Sequence, residues 1–246
     1  MPGALVQGVR YFCAVLLMVL LLGAALLVAP FSRHRAWWLV RLWCRQVLAI
    51  FRVRVQVHSE GGGDPLAHGG IIVGLTQQSL LDPTIGYASW QRPVRGIWNL
   101  EYALIPLLGW VTVFLGWVIV RQRPRQAKRQ LAKAADFARQ GGLVYLSAEG
   151  RRSADGGLSP YKKGPVVMAI AAQVPMIPVY IAGSRACLAP GQWRVRPGAV
   201  VIHYLPPIAT EGLTYADRHQ LLAQLREVGE QAHRRWRPGA ADDGGV

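Results

Sequence analysis

The sequence predicts an α/β domain, a mixed sheet flanked by helices, set behind an N-terminal helical segment of different character. Three observations predict it. Short β-branched runs (RVRVQVH, GGIIVGL, LVYLS, MIPVYI, GAVVIHYL) alternate with longer stretches of helical periodicity. The first 50 residues are apolar and basic, and no acidic residue occurs before Glu60. Polar clusters (TQQSLLD, IVRQRPR, SAEGRRS) follow three of the strand-like stretches, at the position where α/β proteins commonly bind ligands.

The 246 residues suit one domain plus an appendage, and a 52% hydrophobic content supports a large core with apolar surface to spare. A net charge of +15 points to a polyanionic partner, either nucleic acid or an anionic membrane. Cys13, Cys44 and Cys187 are scattered and odd in number, so neither a disulfide framework nor a zinc site follows, and a reduced, cytosol-facing domain is the plain reading.

The N-terminus favours the membrane. Tyr11 to Ser32 carries no charge, and ~20 apolar residues can cross a bilayer core. The run is long for a secretory signal and lacks a small-x-small cleavage site. The next segment, RHRAWWLVRLWCRQVLAIF, mixes Arg35, Arg41 and Arg45 with Trp37, Trp38 and Trp43, residue types that sit at lipid headgroup level. Residues 1–50 therefore read as a membrane-binding helical segment, an anchor followed by an interfacial helix. Arg33, His34 and Arg35 after the apolar run place the main domain on the cytoplasmic side. Crossing the bilayer and entering one leaflet as a hairpin are both compatible with this. No nucleic-acid-binding motif accompanies the charge, so nucleic acid is not the expected partner.

Residues 51–236 form the domain, and residues 237–246 read as a frayed tail. RVRVQVH (52–58) alternates, with Val53, Val55 and Val57 on one face of a half-buried strand. EGGGDPLAHGG is a turn-rich loop, and GGIIVGL is a buried strand ending at Leu75. PVRGIWN (93–99) is a short strand. The apolar run LIPLLGWVTVFLGWVIV is broken by Pro106, Gly109 and Gly116, and is read as a helix from about Leu104 and a strand ending at Arg121. Pro124 opens a helix whose stripe is Ala127, Leu131, Ala134, Ala135 and Ala138, stopped by Gly141-Gly142. LVYLS (143–147) delivers AEGRRS as a loop; PVVMAIAAQ is a buried helix; MIPVYI and GAVVIHYL are strands. A last helix near 215–236 turns Leu221, Leu222, Leu225 and Val228 inward.

Chemistry concentrates at the strand ends. Arg121, Arg123, Arg125, Arg151 and Arg152 lie in two of the polar clusters, and the planar arginine fork reads phosphate. Glu149 sits among them, either as a site residue or as the salt bridge that holds its loop.

With these residues in view, the chain resembles the glycerolipid lysophospholipid acyltransferases, of the 1-acyl-glycerol-3-phosphate acyltransferase type, over roughly residues 65–185. TQQSLLD (Thr76 to Asp82) aligns with the family's N-H-x-S-x-x-D. Glu101 in NLEYALIPLLGW corresponds to the Glu opening the second region, and GWVIVR, ending at Arg121, to G-x-x-x-x-R. SAEGRRS matches F-P-E-G-T-R-S and continues as GGLSPYKKG; VPMIPV (174–179) is the fourth element. The resemblance implies transfer of an acyl chain from acyl-CoA or acyl-carrier protein to the free hydroxyl of 1-acyl-glycerol-3-phosphate or a related lysophospholipid, in phospholipid biosynthesis at a membrane, the bacterial inner membrane by likeness to bacterial members. It implies no cofactor and no metal. It also implies that Gln77 and Asp82 stand in the catalytic positions, that Arg121, Glu149, Gly150 and Arg152 hold the substrate phosphate, and that Ser79 and Glu101 support them.

Gln77 departs from the pattern, since it occupies the place of the family's His. A carboxamide carries no basic nitrogen, and a positioned general base is worth ~10²–10⁴ in rate. Two readings follow: an acyltransferase, or a catalytically weak or inactive member that binds lysophospholipid without turnover. Thr76, Ala148 and Arg151 also differ from the motif residues, a pattern of natural divergence.

Overall fold

A computed structural model describes residues 2–120, 122–150 and 156–237. Seven strands form one sheet: β1 (Val53–Ser59), β2 (Gly70–Gly74), β3 (Val94–Asn99), β4 (Trp117–Ile119), β5 (Leu143–Ser147), β6 (Met176–Ala182) and β7 (Gly198–Tyr204), in the order β1-β7-β6-β2-β5-β3-β4. β6, β2, β5, β3 and β4 run parallel. β7 pairs antiparallel with β6 and parallel with β1, so the sheet is mixed. Because the central strands share one direction, the segments leaving β2, β3 and β5 emerge at the same sheet end.

The central strands read as unbroken apolar runs because both faces are covered. Ile71, Ile72 and Val73 are fully buried, each worth ~1.5–3 kcal/mol. On one face lie α7 (Pro124–Arg139), α8 (Gly164–Ala172) and α10 (Arg218–Trp236). The stripe of α7 enters through Ala134, Ala135 and Ala138, and Gly142 N–H closes its end on the Phe137 carbonyl. Leu221 and Leu225 of α10 are buried, while Leu222 and Val228 are partly buried against the same core.

The N-terminal helices cover the other face. α1 (Pro2–Leu17) continues through a π-helical turn (Met18–Leu22) into α2 (Gly23–Val28), and this helix returns as α3 (Arg33–Ile50). The Ser32 side chain accepts the Arg35 N–H at the start of α3. Ala4–Val28 is long and apolar enough to cross a membrane. It nevertheless packs along α3, and Leu22, Ala25 and Ala29 are buried there.

Several expectations change in detail. The Trp- and Arg-rich face of α3 is two faces: Trp37, Trp43 and Arg41 are buried, whereas Arg35, Trp38 and Arg45 are exposed. Trp37 Nε1 donates to the Val94 carbonyl at 3.1 Å, and Arg41 Nε donates to the Trp90 carbonyl at 2.6 Å. These residues serve the domain because α3 is sandwiched between the N-terminal helix and the sheet. The helix expected from about Leu104 starts only after Pro106, as α6 (Leu108–Leu115), and a short helix that was not expected, α5 (Leu100–Ala103), precedes it. β4 ends at Ile119, short of Arg121. β1 is an edge strand, so of its three valines only Val53 is buried and Val57 is exposed. Besides α5, the helices α4 (Asp82–Ser89) and α9 (Ser184–Cys187) escaped the sequence reading. Residues 238–246, most of the expected tail, lie outside the described residues.

Candidate functional site

The turn between β2 and α4 carries TQQSLLD. Asp82 is buried at the start of α4, and its Oδ2 accepts the backbone N–H groups of Gln78 at 2.8 Å and Ser79 at 2.9 Å. A carboxylate there satisfies donors of the turn and complements the helix N-terminus. Ser79 is buried too; its Oγ donates to the Leu188 carbonyl at 2.7 Å and accepts the Leu81 N–H at 3.0 Å. Gly74 at the end of β2 is a steric requirement, since a Cβ there would stand 2.7 Å from the Tyr145 hydroxyl.

The loop after β5 meets this turn. Glu149 has no solvent-exposed surface. Its Oε2 accepts the Gln77 N–H at 2.7 Å, and its Oε1 accepts the Ser159 N–H at 2.5 Å. Burial pushes its carboxyl up to about 7, against the opposing effect of those two N–H groups and of Arg226. Gly150 follows at φ +70°, a left-handed turn that glycine adopts without strain. Tyr161 donates its hydroxyl hydrogen to the Leu75 carbonyl at 2.8 Å, and Lys162 N–H bonds the Ala148 carbonyl at 2.7 Å. The β2 turn, the β5 loop and the segment before α8 are therefore tied into one unit.

A crevice of about 510 Å³ opens at this sheet end, lined among others by Gln77, Asn99, Ser147, Glu149, Gly150 and Lys162. A narrow recess of about 30 Å³ shares Gln77, Asn99 and Ser147 with it and reaches Ser79, Asp82, Tyr102 and Tyr145. The structure thus brings together Gln77, Ser79, Asp82, Glu149 and Gly150. Glu101 is not among the lining residues; it is exposed on α5, two positions past Asn99. Arg121 and Arg152 lie outside the described residues. His68 is exposed just before β2, at the opposite end of that strand.

Sequence reasoning did not single out Asn99, Tyr102, Tyr145, Ser147 or Lys162 as site residues. Lys162 was legible as part of YKKG, and Ser147 as the polar end of LVYLS. Tyr145 points into an aromatic cluster, with ring centroids 5.4 Å from Trp90 and 6.4 Å from Trp98, which no local pattern announces. Chemically, the crevice offers a carboxamide, hydroxyls, the Lys162 ammonium and a carboxyl that titrates near neutrality. Among the described residues, no group of three or more His, Cys, Asp or Glu is placed to hold a metal.

Parallel strands whose turns converge on a crevice, where polar groups stand among apolar side chains such as Ile97, Leu131 and Leu146, define an α/β protein with a ligand site at the carboxyl ends of its strands. The chain belongs to the Acyltransferase family, whose model matches residues 53–182. It is similar to a 1-acyl-sn-glycerol-3-phosphate acyltransferase of Limnanthes alba, 32% identical over 132 residues, which are 52% of this chain and 47% of that protein. It is also similar to the enzyme of that name from Pseudomonas aeruginosa, 25% identical over 188 residues, 75% of this chain and 72% of that one. The chain spans about half the length of the plant relatives it matches. Its fold is that of the crystal structure of the 1-acyl-sn-glycerophosphate acyltransferase from Thermotoga maritima, with a TM-score of 0.73, 22% identity, and 94% and 95% of the two chains covered.

Proposed function

We propose that this protein transfers an acyl chain from a thioester, acyl-CoA or acyl-carrier protein, to the free hydroxyl of 1-acyl-glycerol-3-phosphate or a related lysophospholipid. The observation that carries the reading is the junction of the TQQSLLD turn with the Glu149 loop over one crevice. In the reaction the acceptor oxygen bonds to the acyl carbon, the carbon–sulfur bond breaks, and the acceptor's proton ends on the released thiol. Gln77 orients the hydroxyl by accepting its hydrogen bond, but it takes no proton. Asp82 holds the turn that carries Gln77. Lys162 and the Gly150 turn, with Arg121 and Arg152, receive the phosphate. Glu149 fixes the two loops against each other.

The substrate is a membrane lipid, and the protein's surface supports a membrane location. Leu5, Val9, Phe12, Val19, Leu20 and Leu27 are exposed along α1–α2, and Trp110, Val113 and Phe114 are exposed on the neighbouring α6. Because the N-terminal helix lies along α3, contact through this outer face within one leaflet fits better than a free crossing helix.

Gln77 favours a second reading, binding of lysophospholipid without turnover. The test is incubation of purified protein with 1-acyl-glycerol-3-phosphate and labelled acyl-CoA or acyl-carrier protein. Labelled diacyl product above a heat-killed control supports transfer. Saturable lysophospholipid binding with no product supports the second reading and overturns the first.

A further inference from the structure

A second basic cavity lies at the head of α1, outside the crevice. Its volume is about 470 Å³, and Arg10, Arg194 and Arg196 line it together with Val6, Gln7 and Pro197. Among the described residues none of the three arginines is salt-bridged, so three arginines line one space without a carboxylate partner. The walls are held in place. The Tyr11 hydroxyl donates to the Trp193 carbonyl and accepts the Val195 N–H at 3.2 Å. The buried Gln7 side chain donates to the Val195 carbonyl at 3.4 Å. The Tyr11 ring packs at a tilt against Phe51, with ring centroids 5.0 Å apart.

The surroundings identify the kind of anion. The rim continues into the exposed apolar face of α1, where Leu5, Val6 and Val9 are 74%, 50% and 54% exposed. Trp193, next to the first loop arginine, is 73% exposed. A free anion in water gains nothing from an apolar rim and an exposed indole. A phosphate at a bilayer surface is flanked by both hydrocarbon and the zone where Trp resides.

We propose that this cavity binds the phosphate of an anionic phospholipid in the membrane surface, through Arg10, Arg194 and Arg196. The proposal deepens the membrane reading above and rests on it. The bound headgroup is connected to the crevice through backbone: Arg196 N–H bonds the Cys187 carbonyl at 2.8 Å, and the adjacent Leu188 carbonyl accepts the Ser79 hydroxyl. Lipid held at this cavity therefore fixes the crevice's orientation on the membrane.

The test is co-flotation of the full chain with vesicles of phosphatidylcholine alone and with added phosphatidylglycerol. Arg10→Gln/Arg194→Gln/Arg196→Gln is compared with a control triple on the opposite sheet face, Lys128→Gln/Arg129→Gln/Lys133→Gln, which removes the same charge. The expected result is tighter binding of the unmodified chain to anionic vesicles. That gain falls by roughly fivefold per cavity arginine and is retained largely by the control. Equal losses in both triples would mean diffuse electrostatics and overturn the site. Equal binding of the unmodified chain to both vesicle types would also overturn it while leaving membrane association standing. Binding to neither vesicle type would overturn the membrane reading itself, and the site with it. Titration with inorganic phosphate in vesicle-free solution separates the sources. Binding of free phosphate that the cavity triple abolishes, without a vesicle preference, would assign the cavity to a soluble anion instead.

Discussion

The Glu149 carboxylate accepts the backbone N–H of Gln77 at 2.7 Å, across 72 residues of sequence. This bond joins the two motif-bearing loops, and its other oxygen reaches on to Ser159. Glu149 is thereby a clamp at the crevice whose removal disturbs both walls.

Glu149 also makes stability depend on pH. Its carboxyl is pushed up to about 7 in the folded protein from an unfolded value of 4.5. Between these values the folded chain holds a proton that the unfolded chain has released. Stability therefore falls as pH rises through that window, by up to about 3 kcal/mol, and levels off above it. Urea unfolding at about pH 5 and about pH 8 should show this slope, and Glu149→Gln should flatten it.

Gln77→His should raise acyl transfer by ~10²–10⁴, because it supplies a proton acceptor at the crevice. The gain should follow the titration of a histidine, rising with pH through about 6.5. Steady-state kcat/KM against pH measures both features. No gain would place the shortfall beyond position 77.

Asp82→Ala should lower stability by ~1.5–3 kcal/mol, because it strands the buried N–H groups of Gln78 and Ser79. Asp82→Asn keeps a carbonyl acceptor in place and should cost less. Thermal melting of the two variants distinguishes a hydrogen-bonding role from mere space filling.

Two arginines of α3 should behave differently. Arg41 is buried and donates to the Trp90 carbonyl and the Gln91 side chain, so Arg41→Ala should cost ~1.5–3 kcal/mol. Arg45 is exposed, and Arg45→Ala should stay within about 0.5 kcal/mol. Chemical denaturation measures both.

Much of the architecture was legible in the sequence. β2, β5 and β6 announce themselves as buried apolar runs, and α7 by its alanine stripe between Pro124 and Gly141. Within the site, Ser79, Asp82, Glu149 and Gly150 were legible as motif residues. Asn99, Tyr102 and Tyr145 were not, because each lies in a stretch whose local pattern describes only a strand or a helix start. α4 was missed since Asp82-Pro83 reads as a turn, and only its burial against α3 makes the following residues a helix.

The sequence by itself determined the order of the seven strands and of the helices α7, α8 and α10, the apolar N-terminal segment and the polar clusters at the strand ends. These are local properties, written in residue periodicity and in the identity of strand-end residues. Only the tertiary structure decided that Glu149 binds Gln77, that Ser79 is held by Leu188, and that α3 turns Trp37 and Arg41 inward while leaving Arg45 outside. Each of those depends on which surfaces meet when the elements pack. A buried carboxyl or guanidinium takes whatever donor or acceptor the neighbouring element presents, and that neighbour lies far away along the chain.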